Sequence, residues 1–166
     1  MARGIGWGAG LVGAFLLAAA PAQAKPEKGK LFGDWGIACE AVAANVPEKC
    51  FATQTQTVKD KGVLLRLSIG PLGPKGDLAM VAILPLGISL TGGVAYRVGS
   101  DAQQPLVLSQ CTMQGCVAGG PVSEASVKAI AEGAPFVIGM VPNGSRETLV
   151  IQVSTKGFKD AFASLK

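Results

Sequence analysis

Residues Ser109–Val117 read SQCTMQGCV, with two cysteines that flank the four residues Thr112–Gly115. The flanking segments, Leu106–Leu108 and Val117, are rich in strand-forming residues, and Gly115 can adopt the positive φ that a tight turn often requires. Opposed residues at non-hydrogen-bonded positions of an antiparallel pair lie about 4.5 Å apart at Cα, which a disulfide can bridge. This stretch therefore predicts a β-hairpin closed by a disulfide, provided that the protein folds in an oxidising compartment.

The first residues of the chain indicate export. Arg3 precedes an apolar run over Leu11–Ala20, and Ala22-Gln23-Ala24 is a small-residue cleavage site. These parts in this order are typical of a secretory signal peptide, so residues 1–24 are predicted to be removed. A retained membrane anchor is the alternative, because the charge-free run over residues 4–24 is long enough to cross a bilayer.

The rest of the chain suits one domain with a hydrophobic core. Residues 25–30, KPEKGK, are predicted to form a flexible basic tail, and residues 31–166 a single β-rich domain. The formal net charge of the whole chain is only +4, and few aromatic residues accompany the dispersed basic ones. Nucleic acid is not expected as a partner, since its binding needs a denser basic stripe. No membrane span is expected after the signal peptide is removed, because no later apolar run is long enough.

Four cysteines are the candidate structural site, and they allow three different pairings. Proximity favours Cys39–Cys50 and Cys111–Cys116, although spacing alone leaves the other pairings open. Four thiolates could bind zinc, but neither spacing is that of a usual zinc knuckle and the chain has no histidine. A catalytic redox pair usually has C-x-x-C spacing, which is absent here. Two disulfides are therefore predicted, with no metal and no cofactor.

Short strands separated by turn-forming residues are predicted along the domain. Val63–Ile69 alternates apolar and polar residues, and Leu78–Leu84 is almost wholly apolar. A helix is expected to begin after Ser123 and end near Gly133, and a second to cover Gly157–Leu165. The other predicted strands are Leu31–Cys39, Cys50–Val58, Ile88–Leu90, Val94–Val98, Leu106–Cys111, Phe136–Val141 and Thr148–Thr155. Without βαβ alternation, this order predicts a mainly β, antiparallel sandwich or barrel-like domain with one central short helix and a short C-terminal helix.

Three segments are candidate binding surfaces. Cys50–Val58, CFATQTQTV, has no strongly apolar face, so an edge strand is a better interpretation than a central one. Such an edge can add a strand from a partner, although an ordinary edge kept soluble by polar side chains is the simpler interpretation. The other two segments are the Gly70–Asp77 loop and the Pro142–Arg146 turn, in which Asn143-Gly144 favours a hairpin.

Five short motifs occur in a recognisable order. They are Trp35–Cys39, Cys50–Gln54, Leu84–Leu90, Cys111-x4-Cys116 and Gly157-Phe158 followed by Ala161. This order resembles that of the invasion-associated locus B family over nearly all of the chain after residue 24. The resemblance implies a small exported β-sandwich-like protein of alphaproteobacteria, in the periplasm or the outer envelope, and links some pathogenic members to host-cell entry. It implies a structural role for all four cysteines and supplies no catalytic residues.

An enzyme is not expected, because a chain without histidine lacks Ser-His and Cys-His activation. The alternative is a periplasmic hydrolase or glycan-processing enzyme that uses carboxylates such as Asp34. Trp35 beside it could line a sugar site, but a tryptophan is more often a core anchor. We therefore expect an exported, non-catalytic binding or accessory protein whose partner is an envelope or host-surface protein or glycan.

Overall fold

Antiparallel strands make up most of the fold, which confirms the predicted fold class. The computed structural model describes residues 1, 26–41, 46–60 and 62–166. The predicted signal peptide lies outside these residues, apart from Met1. Within them, the strands are β1 Leu31–Phe32, β2 Trp35–Glu40, β3 Lys49–Val58, β4 Gly62–Gly70, β5 Ala79–Leu84, β6 Val94–Val98, β7 Gln104–Thr112, β8 Gly115–Pro121, β9 Phe136–Met140 and β10 Leu149–Val153, and the helices are α1 Glu124–Ala131 and α2 Phe158–Ala163.

One sheet contains all ten of these strands, in the order β1-β2-β3-β4-β5-β8-β7-β6-β9-β10. Each neighbouring pair is antiparallel. The sheet curls into a half-barrel around an apolar core. Two strands lie along the same side of β3. The first half of β3, from Lys49 to Thr53, pairs with β2, and the second half of β3 faces β10. Among the described helices, none is long and apolar enough to cross a membrane.

The two helices lie at one end of the barrel and complete its core. Trp35 and Phe158 are both fully buried, and their rings meet edge to face at 4.8 Å between centroids. Phe162, one turn further along α2, stacks on Phe158 at 5.5 Å. The predicted helix caps are confirmed in α1, where the Ser123 side chain accepts a hydrogen bond from the backbone N–H of Ser126 at 3.0 Å.

The first predicted strand is instead a tight hairpin. Gly33 has a φ of +58°, which L side chains rarely adopt, and it separates β1 from β2. A Cβ at Gly33 would also lie 2.8 Å from the Lys156 carbonyl oxygen, so only glycine fits at this position. The segment predicted as a flexible tail continues this hairpin, since Gly29 N–H donates to Ile37 O at 2.7 Å and Ile37 N–H donates to Lys30 O at 2.9 Å.

Two other strand predictions are wrong in part. Cys50–Val58 is not an edge over its first half, because β3 pairs there with both β2 and β4. Ile88–Leu90 forms no strand of its own. Ile88 makes a single bridge to Pro142 and is 8% exposed, so this segment crosses the mouth of the barrel and covers the core.

Two disulfides join neighbouring strands. Cys39–Cys50 links β2 to β3 and Cys111–Cys116 links β7 to β8, with S–S distances of 2.09 and 2.01 Å. Each joins residues that are directly opposed in the ladder. The second bond lies at the tip of the hairpin, beside the turn that the sequence places at Thr112–Gly115.

Replacing both cysteines of a pair by serine should lower the free energy of unfolding without abolishing the fold. Chain entropy assigns about 2 kcal/mol to the small Cys111–Cys116 ring and about 3 kcal/mol to the larger Cys39–Cys50 ring. Urea unfolding of the two double variants under oxidising conditions measures both losses. Adding a reductant should then lower the free energy of unfolding of each variant further, by the contribution of the one disulfide that it retains. Wild-type stability in either variant would contradict the pairing.

Candidate functional site

The two edges of the curled sheet meet along a line that is held mainly by side-chain hydrogen bonds, and we call it the seam. It runs between β10 and residues 54–58 of β3. Gln54 Nε2 donates to Ser154 O at 3.1 Å, and Gln56 Nε2 donates to Gln152 O at 2.8 Å. The two strands therefore run antiparallel across the seam, but in the described part of the chain no backbone hydrogen bond joins them.

Ser154 is the centre of the seam. Its carbonyl also accepts from Trp35 Nε1 at 2.8 Å, and its N–H donates to Gln54 Oε1 at 3.3 Å. Its hydroxyl donates to Asp34 Oδ2 at 2.6 Å and accepts from the Lys156 N–H at 3.2 Å. Trp35 is thus a core anchor whose one side-chain hydrogen-bond donor is satisfied. The Asp34 carboxylate accepts a hydrogen bond from the Ser154 hydroxyl and does not face a second carboxylate.

The roles of Gln54 and Gln56 in closing the sheet are not predicted from the sequence. Gln54 is only 4% exposed, so its amide must find partners, and it finds them on a strand that is 100 positions away in sequence. The available signal was the polar alternation in Cys50–Val58, which we interpreted as an edge. Polar side chains on the inner face of a strand also indicate a place where a curled sheet closes.

A second feature is the end of the barrel opposite the helices. The strand registers bring four turns together there, which contain the described residues 59–60 and 62, 85–93, 112–115 and 141–148. Exposed apolar side chains project from this end of the barrel, which we call the apolar end. They are Val58, Val63, Leu86, Leu90, Met113, Leu149 and Val150. Most of the exposed large apolar side chains of the described residues belong to this group, so their distribution is uneven.

The three predicted binding surfaces do not come together. The Pro142–Arg146 turn and the second half of β3 lie at the apolar end, since Gln54 and Gln56 set β3 against β10. The Gly70–Asp77 loop joins β4 to β5 at the other end, where Lys49 Nζ donates to Gly73 O at 3.2 Å. The Cys111–Cys116 disulfide, by contrast, does lie at the apolar end.

A polar cleft of about 520 Å³ lies beside the start of α1. The Tyr96 hydroxyl donates to Pro121 O at 3.3 Å, and the Ser123 and Ser126 hydroxyls share a hydrogen bond of 2.9 Å. Burial raises the pKa of the Tyr96 hydroxyl, and the neighbouring Ser126 side chain partly opposes that rise. No group of three or more Asp, Glu or Cys side chains suited to a metal ion occurs within the described residues.

Comparison with known proteins agrees with this fold. A family model described as "Invasion associated locus B (IalB) protein" matches residues 35–166. The chain belongs to the invasion-associated locus B family. The match includes both disulfides, β10 and the whole of the apolar end.

A solved crystal structure shares this fold. The crystal structure of invasion associated protein B from Bartonella henselae superposes with a TM-score of 0.68 at 21% identity, over 82% of this chain and 94% of that one. A protein of unknown function from Burkholderia pseudomallei gives a TM-score of 0.41 at 13% identity, over 68% and 83% of the two chains. The comparison with curated proteins gave no match.

Replacing Gln54 by alanine should destabilise the barrel more than the same change at Gln56. The Gln54 change leaves the Ser154 N–H without its partner inside the protein, which should cost about 1–3 kcal/mol. Gln56 is partly exposed and water can replace it, so its loss should cost less than about 1 kcal/mol. Thermal and urea unfolding of both variants measure this difference, and equal losses would show that the seam does not depend on Gln54.

The tyrosine absorbance of the folded protein should change at a pH above the ordinary phenol value of 10.0. The chain has one tyrosine, so ultraviolet titration reports on Tyr96 alone. Because the folded pKa is raised, the contribution of neutral Tyr96 to stability is complete below the unfolded pKa and is lost as the pH rises through the folded pKa. Tyr96→Phe should abolish the absorbance step. A step at the ordinary value would contradict the buried hydroxyl.

Proposed function

We propose that this chain is an exported, non-catalytic binding or accessory protein of the cell envelope. In this proposal residues 1–24 are removed as a signal peptide, and residues 31–166 act as one disulfide-bonded domain in the periplasm or on the outer envelope. The grouping of exposed apolar side chains at the apolar end carries the proposal, because large apolar side chains gathered on one part of a protein surface are typical of interaction sites.

Two further observations support it. Disulfides persist in oxidising compartments such as the periplasm and are rare in the cytosol, so the two pairs favour export. The polar side chains that could take part in carboxylate chemistry near Trp35 are used in closing the seam: the Ser154 hydroxyl donates to Asp34 and the Ser154 carbonyl accepts from Trp35. This arrangement favours a structural role for the Asp34 carboxylate over a catalytic one.

The proposed partner belongs to the bacterial envelope or to the surface of a host cell. The name of the Bartonella protein, invasion associated protein B, supports an association with host cells for members of this family. For this chain, host association is the more specific part of the proposal. Retention at an envelope surface is the more general part, and it can be tested first.

Expression of the full chain in a Gram-negative host should yield periplasmic or envelope-associated protein that begins at Lys25. Mass spectrometry after alkylation without reduction should find no modified cysteine, since all four are paired. An intact Met1 terminus in the membrane fraction, or four alkylated thiols, would contradict export with cleavage and oxidation. Turnover of a substrate in a panel of peptides, esters and glycans would contradict the non-catalytic role.

A further inference from the structure

We propose that the apolar end docks on the surface of a lipid bilayer, with Leu86, Leu90 and Met113 entering the interface. This inference rests on the proposed function and names the partner of the apolar end. The three side chains are 57%, 68% and 92% exposed, respectively. They project from two neighbouring turns, 85–93 and 112–115, as separate points rather than as the walls of a groove.

The two turns are adjacent and held in place. Leu84, which precedes the first turn, pairs with Cys116 at the end of the second. The Ser89 N–H donates to Val141 O and the Asn143 N–H donates to Gly87 O, both at 2.7 Å. These bonds fix the first turn to the end of β9, so Leu86 and Leu90 project on either side of the buried Ile88.

Neither turn carries a charge. Pro85–Gly93 reads PLGISLTGG and Thr112–Gly115 reads TMQG, without Asp, Glu, Lys or Arg. Taking an unpaired charge out of water is costly, so only uncharged tips can enter the boundary between headgroups and acyl chains at low cost. The charged residues that are nearest in sequence, Lys59, Asp60, Lys61, Arg146 and Glu147, belong instead to the segments that follow β3 and β9.

Many polar groups of the two turns are satisfied within the turns themselves. The Gly92 N–H donates to Ser89 Oγ at 3.0 Å, and the Ser89 and Thr91 hydroxyls share a hydrogen bond of 3.2 Å. At the second tip, Thr112 Oγ1 donates to Gln114 Oε1 at 2.8 Å and accepts from the Gln114 N–H at 3.2 Å. Polar groups bonded in this way lose less when water is removed, which suits a lipid interface.

A lipid surface fits this end better than a protein partner does. The cores of protein interfaces are rich in aromatic residues, methionine and arginine and are packed against a complementary shape. The apolar end offers valine, leucine and methionine on separate projections, which a fluid interface can surround without a matching surface. The Cys111–Cys116 disulfide adds rigidity where it is useful, because it holds the Met113 tip outward before binding.

Flotation with lipid vesicles tests the proposal. The oxidised protein, purified from the periplasm of the expressing host, is mixed with vesicles of phosphatidylethanolamine and phosphatidylglycerol. The wild type should float with the vesicles, and Leu86→Ser and Leu90→Ser should each lower the partition coefficient about tenfold if most of a leucine side chain is buried. The triple change with Met113→Ser should lower it further. The segments of the other two turns hold three basic and two acidic residues, a net charge of only +1, so flotation should depend only weakly on salt.

Leu31→Ser is the matched control, since Leu31 is 77% exposed and belongs to β1 rather than to the apolar end. This variant should float like the wild type. Unchanged melting temperatures and the absence of free thiols would show that the variants are folded. Equal flotation of the wild type and the triple variant, or no flotation of either, would overturn the lipid assignment. Wild type that binds envelope vesicles containing protein but not pure lipid vesicles would identify a protein partner, overturning this inference while the proposed function stands.

Discussion

The structure depends on satisfying the backbone of Ser154 where the curled sheet closes. A sheet that curls around a core brings two strand edges together, and their polar groups must find partners if water is excluded. Here β10 is not paired with β3 by backbone. Instead, Trp35 and Gln54 reach the Ser154 carbonyl, and Gln54 also accepts from its N–H. One tryptophan therefore fills the core and joins the sheet's two ends.

This closure determines what the rest of the surface can do. At the end with the helices, α2 covers Trp35 through Phe158, and polar side chains such as Asp34 are held against Ser154. At the opposite end the core is covered by a single extended segment around Ile88, so the residues on either side of it face outward. The two ends thus differ in kind: one is closed by packed rings and hydrogen bonds, and the other exposes apolar side chains.

The sequence predicted those features that depend on neighbours along the chain. The alternation in Val63–Ile69, the cap at Ser123 and the Asn143-Gly144 turn all reflect local chemistry, and the structure contains each of them. The closing role of Gln54 depends on a strand 100 residues away, and the grouping of apolar tips depends on the registers of eight strands. The break at Gly33 has a local signal in Gly33-Asp34, although the whole of Leu31–Cys39 is predicted as one strand.

The position of the second disulfide connects stability with the proposed binding. A ring of this size adds about 2 kcal/mol to the unfolding free energy, less than the larger Cys39–Cys50 ring. Its Cys111 is exposed while Cys116 is buried. A bond at the tip of a hairpin acts mainly on the shape of the turn that it closes. Because that turn presents Met113, and because its neighbour presents Leu86 and Leu90, rigidity here lowers the entropy lost when the tips become immobilised on a surface.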